Sequence, residues 1–187
     1  MALGLLLMGA SALLLTHNQL EEVQAAETAQ VLLTELEQQE PLPPEPPVEA
    51  LPQPLDTTEV NGRSYLGQLE IPDLQLCLPV LAQWSDANLK LAPCRYSGDL
   101  SSGDLVLLAH SYRRHFGQLS SLVPGAAIRF TDVHGTQIPF SVAEIELLQP
   151  EQVEEMQAGD YPLTLFTCNY GGRARVTLRC VRSQQSQ

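Results

Sequence analysis

Cys168 stands at the end of a short apolar, β-prone run, Leu163-Thr164-Leu165-Phe166, and Arg175 opens another run seven residues later. A thiolate is the reactive form of cysteine, and an ordinary thiol pKa near 8.5 leaves little of it at neutral pH. A guanidinium keeps its proton, so an arginine beside the sulfur favours the charged nucleophile. His110 ends a third apolar run, Leu105-Val106-Leu107-Leu108-Ala109, and is the natural proton carrier. Three chemically distinct groups, each at a strand terminus, fit nucleophilic acyl transfer through a thioester.

The elements that must position them read as strands. Asn169 to Gly172 is a tight turn or loop, since Asn and Gly tolerate positive φ. Beyond it Val176, Leu178 and Cys180 share one face, and Thr177, Arg179 and Val181 the other. Paired, the two strands make Cys168 and Arg175 neighbours at one rim of a sheet. Arg173 lies in the loop and reaches the same space; Arg179 and Arg182 are expected to face solvent. Further strands are expected at 65–71, 74–81, 104–109, 127–132 and 137–148, separated by Gly- and Pro-containing turns. Short helices are expected at 85–91 and 151–157, the second with Pro150 just before it. The pattern is that of an all-β barrel or sandwich with short helices. Of the other cysteines, Cys180 reads as core, while Cys77 and Cys94 are free or paired with each other. The spacings among His110, His115, Cys168 and Cys180 lack the close Cys pairs of structural zinc sites, and no metal is expected. His115 reads as loop; no partner is evident for His17 or His134.

Thr164-Leu165-Phe166-Thr167-Cys168, with Arg175 downstream, matches a TLxTC pattern, and Ala109-His110-Ser111-Tyr112 with Phe116-Gly117-Gln118-Leu119 precedes it. Gly67-Gln68-Leu69-Glu70-Ile71-Pro72 looks like a domain-opening strand of the same kind. In this set and order the chain resembles the sortases, cysteine transpeptidases of the bacterial cell surface, over roughly residues 62–182. The resemblance implies an eight-stranded β-barrel, with Cys168 as nucleophile, His110 as acid and base, and Arg175 at the substrate carbonyl or oxyanion. Thr167, Asn169 and Arg173 are expected around substrate or oxyanion, although strand propensity alone also accounts for Thr167. The interval between residue 148 and Cys168 is too short for the long helical insertion of class B enzymes, which leaves the subclass open.

The net charge of −12 is unevenly placed: residues 1–60 hold ten acids and no Lys or Arg, and the remainder is close to neutral. A neutral domain has no basic footprint for nucleic acid. Ala2 to Leu15 is almost wholly apolar, a helix of about 21 Å against a hydrocarbon core of roughly 30 Å. It reads as a membrane anchor, or as the apolar region of a signal peptide with Val23-Gln24-Ala25 as its cleavage site. The missing basic flank points to a start lying upstream. Residues 19–39 read as a helical, solvated stalk, with Leu20, Val23, Val31, Leu32 and Leu36 loosely on one face. Glu40 to Pro54 holds seven of the fourteen prolines and reads as an extended linker.

The expected organisation is therefore an anchor over 1–18, an acidic stalk and Pro-rich linker over 19–60, and a catalytic domain over 61–187. The resemblance implies a single-pass protein of the cell membrane with its domain outside. It implies two partners: a secreted protein bearing a C-terminal sorting motif, and an amine acceptor on a peptidoglycan peptide or a pilin lysine. No cofactor is expected, since no acidic cluster asks for the calcium that some relatives use. Papain-like and NlpC/P60-like peptidases place Cys before His, and the nucleophile turn of L,D-transpeptidases is missing. A membrane-tethered β-barrel binding module without catalysis is the rival reading.

Overall fold

Leu105 and Leu107, Leu163 and Leu165, and Val176, Leu178 and Cys180 all enter one buried core. Their neighbours in sequence point the other way, the period of two that a sheet closed on itself imposes. The computed structural model describes residues 2–38, 56–157, 160–168 and 173–183. The expected linker over 40–54 and Asn169 lie outside the described residues. Nine strands are described: β1 (Thr58–Val60), β2 (Arg63–Ile71), β3 (Leu76–Leu81), β4 (Cys94–Ser97), β5 (Leu105–Leu108), β6 (Ala127–Asp132), β7 (Gln137–Leu148), β8 (Leu163–Cys168) and β9 (Arg175–Arg182). With them go helices α1 (Ala2–Gln38), α2 (Asp86–Leu89) and α3 (Val153–Met156), and single 3₁₀ turns at Pro72–Leu74 and Leu119–Ser121.

The strand order is β1-β2-β3-β4-β5-β8-β9-β7-β6, and β2 also pairs with β6. That last pairing closes β2 to β9 into the expected eight-stranded barrel, with β1 as an added edge. Gly67 makes the closure possible. It sits at a register shift in β2 with φ of 140°, and a β-carbon there would lie 2.0 Å from Thr131 O on β6. Only glycine takes that backbone this close to a neighbouring strand. Inside, Leu66, Leu69, Ile71, Ile128, Phe130 and Phe140 complete the core. The four-residue β4, between Pro93 and Gly98, is too short to stand out in the sequence; it pairs with β5 and, in parallel, with the end of β3.

The expected solvated stalk is corrected by α1. Ala25, Ala26, Ala29, Leu32 and Leu33 form a buried stripe at helical spacing, packed along β3, while Leu20, Val23 and Val31 are exposed. Alanines let the helix come close to the sheet, so the buried face is built from small residues as well as large ones. Glu22 Oε1 accepts the Arg113 N–H at 2.8 Å, and Asn61 Nδ2 donates to Glu35 Oε2. Among the described residues, no helix is long and apolar enough to cross a membrane.

Candidate active site

β5, β8 and β9 lie side by side, and their outer face carries the chemistry. β8 and β9 are antiparallel, with Cys168 directly opposite Arg175. β5 runs parallel to β8, with Leu108 opposite Phe166. His110 lies two residues beyond Leu108, as Cys168 lies two residues beyond Phe166. The Ala109 N–H donates to Phe166 O at 3.3 Å, which keeps the two chains together past the end of β5. Thr167 points the other way, into the barrel, where it is 2% exposed and its hydroxyl donates to Ala109 O at 2.8 Å. The residue before the cysteine thus ties its strand to the residue before the histidine. His110, Cys168 and Arg175 are each half-buried, and Arg173 is exposed.

The chain turns sharply after His110. Phe116 N–H donates to His110 O at 3.2 Å, and the His115 and Gly117 N–H groups both donate to Tyr112 O at 2.9 Å. A β-carbon at Gly117 would meet Ser111 O at 2.4 Å, so this loop closes only on glycine. Tyr112 then stands against two imidazoles, with ring centroids 4.9 Å from His110 and 5.4 Å from His115. His115 is fully buried, and among the described residues neither of its ring nitrogens has a hydrogen-bond partner. Burial pushes its pKa down to about 4, with His110 adding to the effect. The pKa of His110 is also lowered, by burial first and then by Lys90; Asp86 and Glu21 oppose this. Neutral imidazole is therefore favoured in the free site. The flanking charges come from α1 and from the α2 region, where Ser85 Oγ caps α2 by accepting the Asn88 N–H at 3.1 Å.

No disulfide joins Cys77, Cys94, Cys168 and Cys180. Cys94 and Cys180 are buried, and desolvation pushes each thiol up to about 12. Cys180 belongs to the core, as expected, on the opposite face of the sheet from Cys168. Cys77 and Cys94 do not pair: Cys77 opens β3 opposite Glu70, whereas Cys94 sits beyond the far end of β3, opposite Leu81. His134 does have a partner, with Nε2 2.8 Å from Asp56 Oδ2, and His17 lies 3.7 Å from Glu21.

Arg179 departs most from expectation. It was expected to face solvent and is 3% exposed. Its Nε donates to Glu146 Oε2 at 3.0 Å, and its Nη1 to Met156 O at 2.9 Å and to Thr164 Oγ1 at 3.2 Å. The outer face of the sheet is covered there by the β7–β8 connection. Nearer Cys168, Phe166 meets Tyr96 edge-on at 5.2 Å, and Trp84 lies 6.1 Å from Tyr96.

A closed eight-stranded barrel with Cys168 paired to Arg175 at one rim, and with His110 just past the end of the neighbouring strand β5, defines a narrow class. The sortase-domain family model matches residues 69–183, more than half of the chain, and the chain belongs to the sortase family. Among solved structures it resembles sortase C from Clostridium perfringens SM101, at 24% identity over 64% of this chain and 70% of that one, with a TM-score of 0.55. It likewise resembles sortaseC1 from Streptococcus suis, at 24% identity over 64% of this chain and 73% of that one, TM-score 0.55. Sortase A from Corynebacterium diphtheriae is 23% identical over 66% of this chain and 63% of that one, with a TM-score of 0.60. At these identities the likeness carries the fold, and it spans C and A types. No curated protein matches the chain.

Proposed function

We propose that the chain is a cysteine transpeptidase in which Cys168 is the nucleophile, His110 the proton carrier and Arg175 the support of the developing oxyanion. The observation that carries this is the register. Cys168 is paired with Arg175, and His110 follows the end of the neighbouring strand β5 by two residues, as Cys168 follows Phe166, the partner of Leu108, within a sortase domain.

The steps follow from these groups. The Cys168 sulfur attacks a backbone carbonyl carbon of a sorting motif, and its proton passes to neutral His110. The carbonyl oxygen becomes an oxyanion, held by Arg175 and backbone N–H groups. The C–N bond breaks, and the departing amine takes its proton from His110, leaving a thioester on Cys168. An incoming amine attacks the thioester and gives its proton to His110. A new amide forms, and the proton returns to the sulfur. Thr167 acts in this scheme by holding the His110 segment to the Cys168 strand. Asn169 and Arg173, in the β8–β9 connection, remain candidates for contacts to substrate or oxyanion. The acyl donor is a secreted protein with a C-terminal sorting motif, and the acceptor is an amine of a cell-wall peptide or a pilin lysine.

The same reading puts the catalytic domain over 61–187 outside the cell membrane, with residues 1–18 as anchor; of the stretch 19–60, the helix through residues 25–33 packs on the domain and the Pro-rich part serves as linker. The apolar run Ala2–Leu15 supports the anchor. Partition of the full chain into membranes resistant to alkaline carbonate tests it. For the chemistry, the chain is incubated with sorting-motif peptides and an amine, and intact mass is measured beside Cys168→Ala. An acyl adduct on the wild type alone supports the nucleophile. No adduct with any peptide, together with a Cys168 that alkylates no faster than Cys77, overturns the enzyme reading in favour of a binding module.

A further inference from the structure

The β7–β8 connection, Gln149 to Pro162, crosses the outer face of the sheet beside the site, yet it has little of its own to hold it there. α3 is four residues long and has no side-chain N-cap. So short a helix is not stable by itself. At its C-terminal end the Gln157 N–H turns back to Val153 O and Glu155 O, and the end carbonyls carry the negative end of the helix dipole.

Arg179 meets that end from below. Its Nη1 donates to Met156 O and its Nη2 to Glu155 O, while Nη1 also reaches Thr164 Oγ1 on β8 and Nε pairs with Glu146 on β7. Its guanidinium carbon lies 5.7 Å from the Tyr161 ring centre, and Tyr161 donates in turn to Glu144 on β7. Every nitrogen of the fork is engaged, as a buried charge requires. A single side chain therefore joins three strands to the middle of the connection and to Tyr161 near its end.

What this fixes is the position of Met156. It is buried against Val106, Leu148 and Phe166. Phe166 is two residues before Cys168 on the same face, and Leu148 is opposite Arg175. A peptide whose carbonyl reaches Cys168 must lie on this face. It meets the Trp84–Tyr96 ridge on one side of Phe166 and the Met156 connection on the other.

We propose that Arg179 is a positioning residue: an internal cation that pins the connection over 149–162 as a fixed wall of the surface on which the sorting peptide lies. The proposal rests on the reading of Cys168 as nucleophile. Its substrates are extended peptides whose side chains pack between that wall and the aromatic ridge. A wall held by a buried fork is already in place before substrate arrives, so its loss falls on binding more than on the chemical step.

The test uses the full chain with Arg179→Met, which keeps an apolar stem, and Arg179→Lys, which keeps the charge without the fork. Backbone hydrogen exchange over 150–157 is compared with exchange in β5 and β8. Steady-state kinetics use the peptide found by acylation. In Arg179→Met, exchange is expected to rise in the connection alone, KM to rise about ten-fold or more, and kcat to stay within about three-fold. Arg179→Lys is expected to fall between this variant and wild type. Unchanged exchange in the connection overturns the proposal, and so does an equal loss of kcat and kcat/KM with KM unaltered. If Arg179→Met does not fold, Glu146→Gln and Thr164→Val weaken the same fork singly and must each raise KM in the same direction. If the wild type forms no acyl adduct at all, the functional reading falls, and the exchange data still decide whether Arg179 pins the wall.

Discussion

His115 makes the stability of this domain depend on pH in a defined direction. Its ring is fully buried against Tyr112, and among the described residues neither nitrogen is bonded. Burial holds its pKa at about 4 in the folded chain, against 6.5 for the free side chain. Between those values the unfolded chain binds a proton that the folded chain refuses. The contribution is thus fully present above pH 6.5 and is lost as pH falls toward 4. At roughly 1.4 kcal/mol per pH unit, the full gap is worth about 3 kcal/mol, and about 2 kcal/mol of it is gone by pH 5. Against a total stability of about 5–15 kcal/mol this is measurable by urea unfolding at pH 7 and pH 5. His115→Phe keeps an aromatic ring and removes the proton site. Its loss of stability between the two pH values should be smaller than wild type by about 2 kcal/mol. His110 titrates in the same direction in both chains and drops out of the comparison. If the two chains lose stability equally between pH 7 and pH 5, the assignment of the effect to a buried, neutral His115 is wrong.

Other expectations follow from single contacts. Native alkylation followed by peptide mass mapping should label Cys168 and Cys77 and spare Cys94 and Cys180, whose buried thiols are pushed up to about 12; rapid labelling of either buried thiol would contradict this. Lys90→Gln should raise the pKa of His110 and Asp86→Asn should lower it, as read from the histidine ring protons by NMR. A shift of the same sign in both would show that α2 does not set the charge at His110. Thr167→Val removes the hydroxyl donor to Ala109 O and should cost about 1 kcal/mol of stability. It should also slow acyl transfer through a displaced His110, and Thr167→Ser should restore both.

The barrel and the strand ends that carry the candidate residues were legible for one reason: each depends on local alternation. The runs over 127–132 and 137–148 form strands with those same bounds, and Leu163–Phe166 leads into Cys168 as expected. Two antiparallel strands joined by a Gly-containing turn bring Cys168 to Arg175 without help from the rest of the chain. What stayed hidden depends on contacts distant in sequence. β4 is four residues long and becomes a strand only because β5 pairs with it. The buried face of α1 runs through Ala25, Ala26 and Ala29, which carry little hydrophobic signal and matter because β3 lies beneath them.

Arg175 and Arg179 show where the boundary falls. They occupy the same face of β9, four residues apart, and alternation treats them alike. One stays half-buried beside Cys168, and the other is sealed in a fork of bonds. The difference lies in the β7–β8 connection, whose Glu155 and Met156 carbonyls accept from Arg179. A buried cation requires acceptors, and the carbonyls at the end of a one-turn helix supply them; the two meet only once the sheet has placed them together. Alternation therefore identifies the row of residues on which chemistry can occur. The crossing connection, through its Met156 and Glu155 carbonyls, decides which arginine of that row is sealed from solvent.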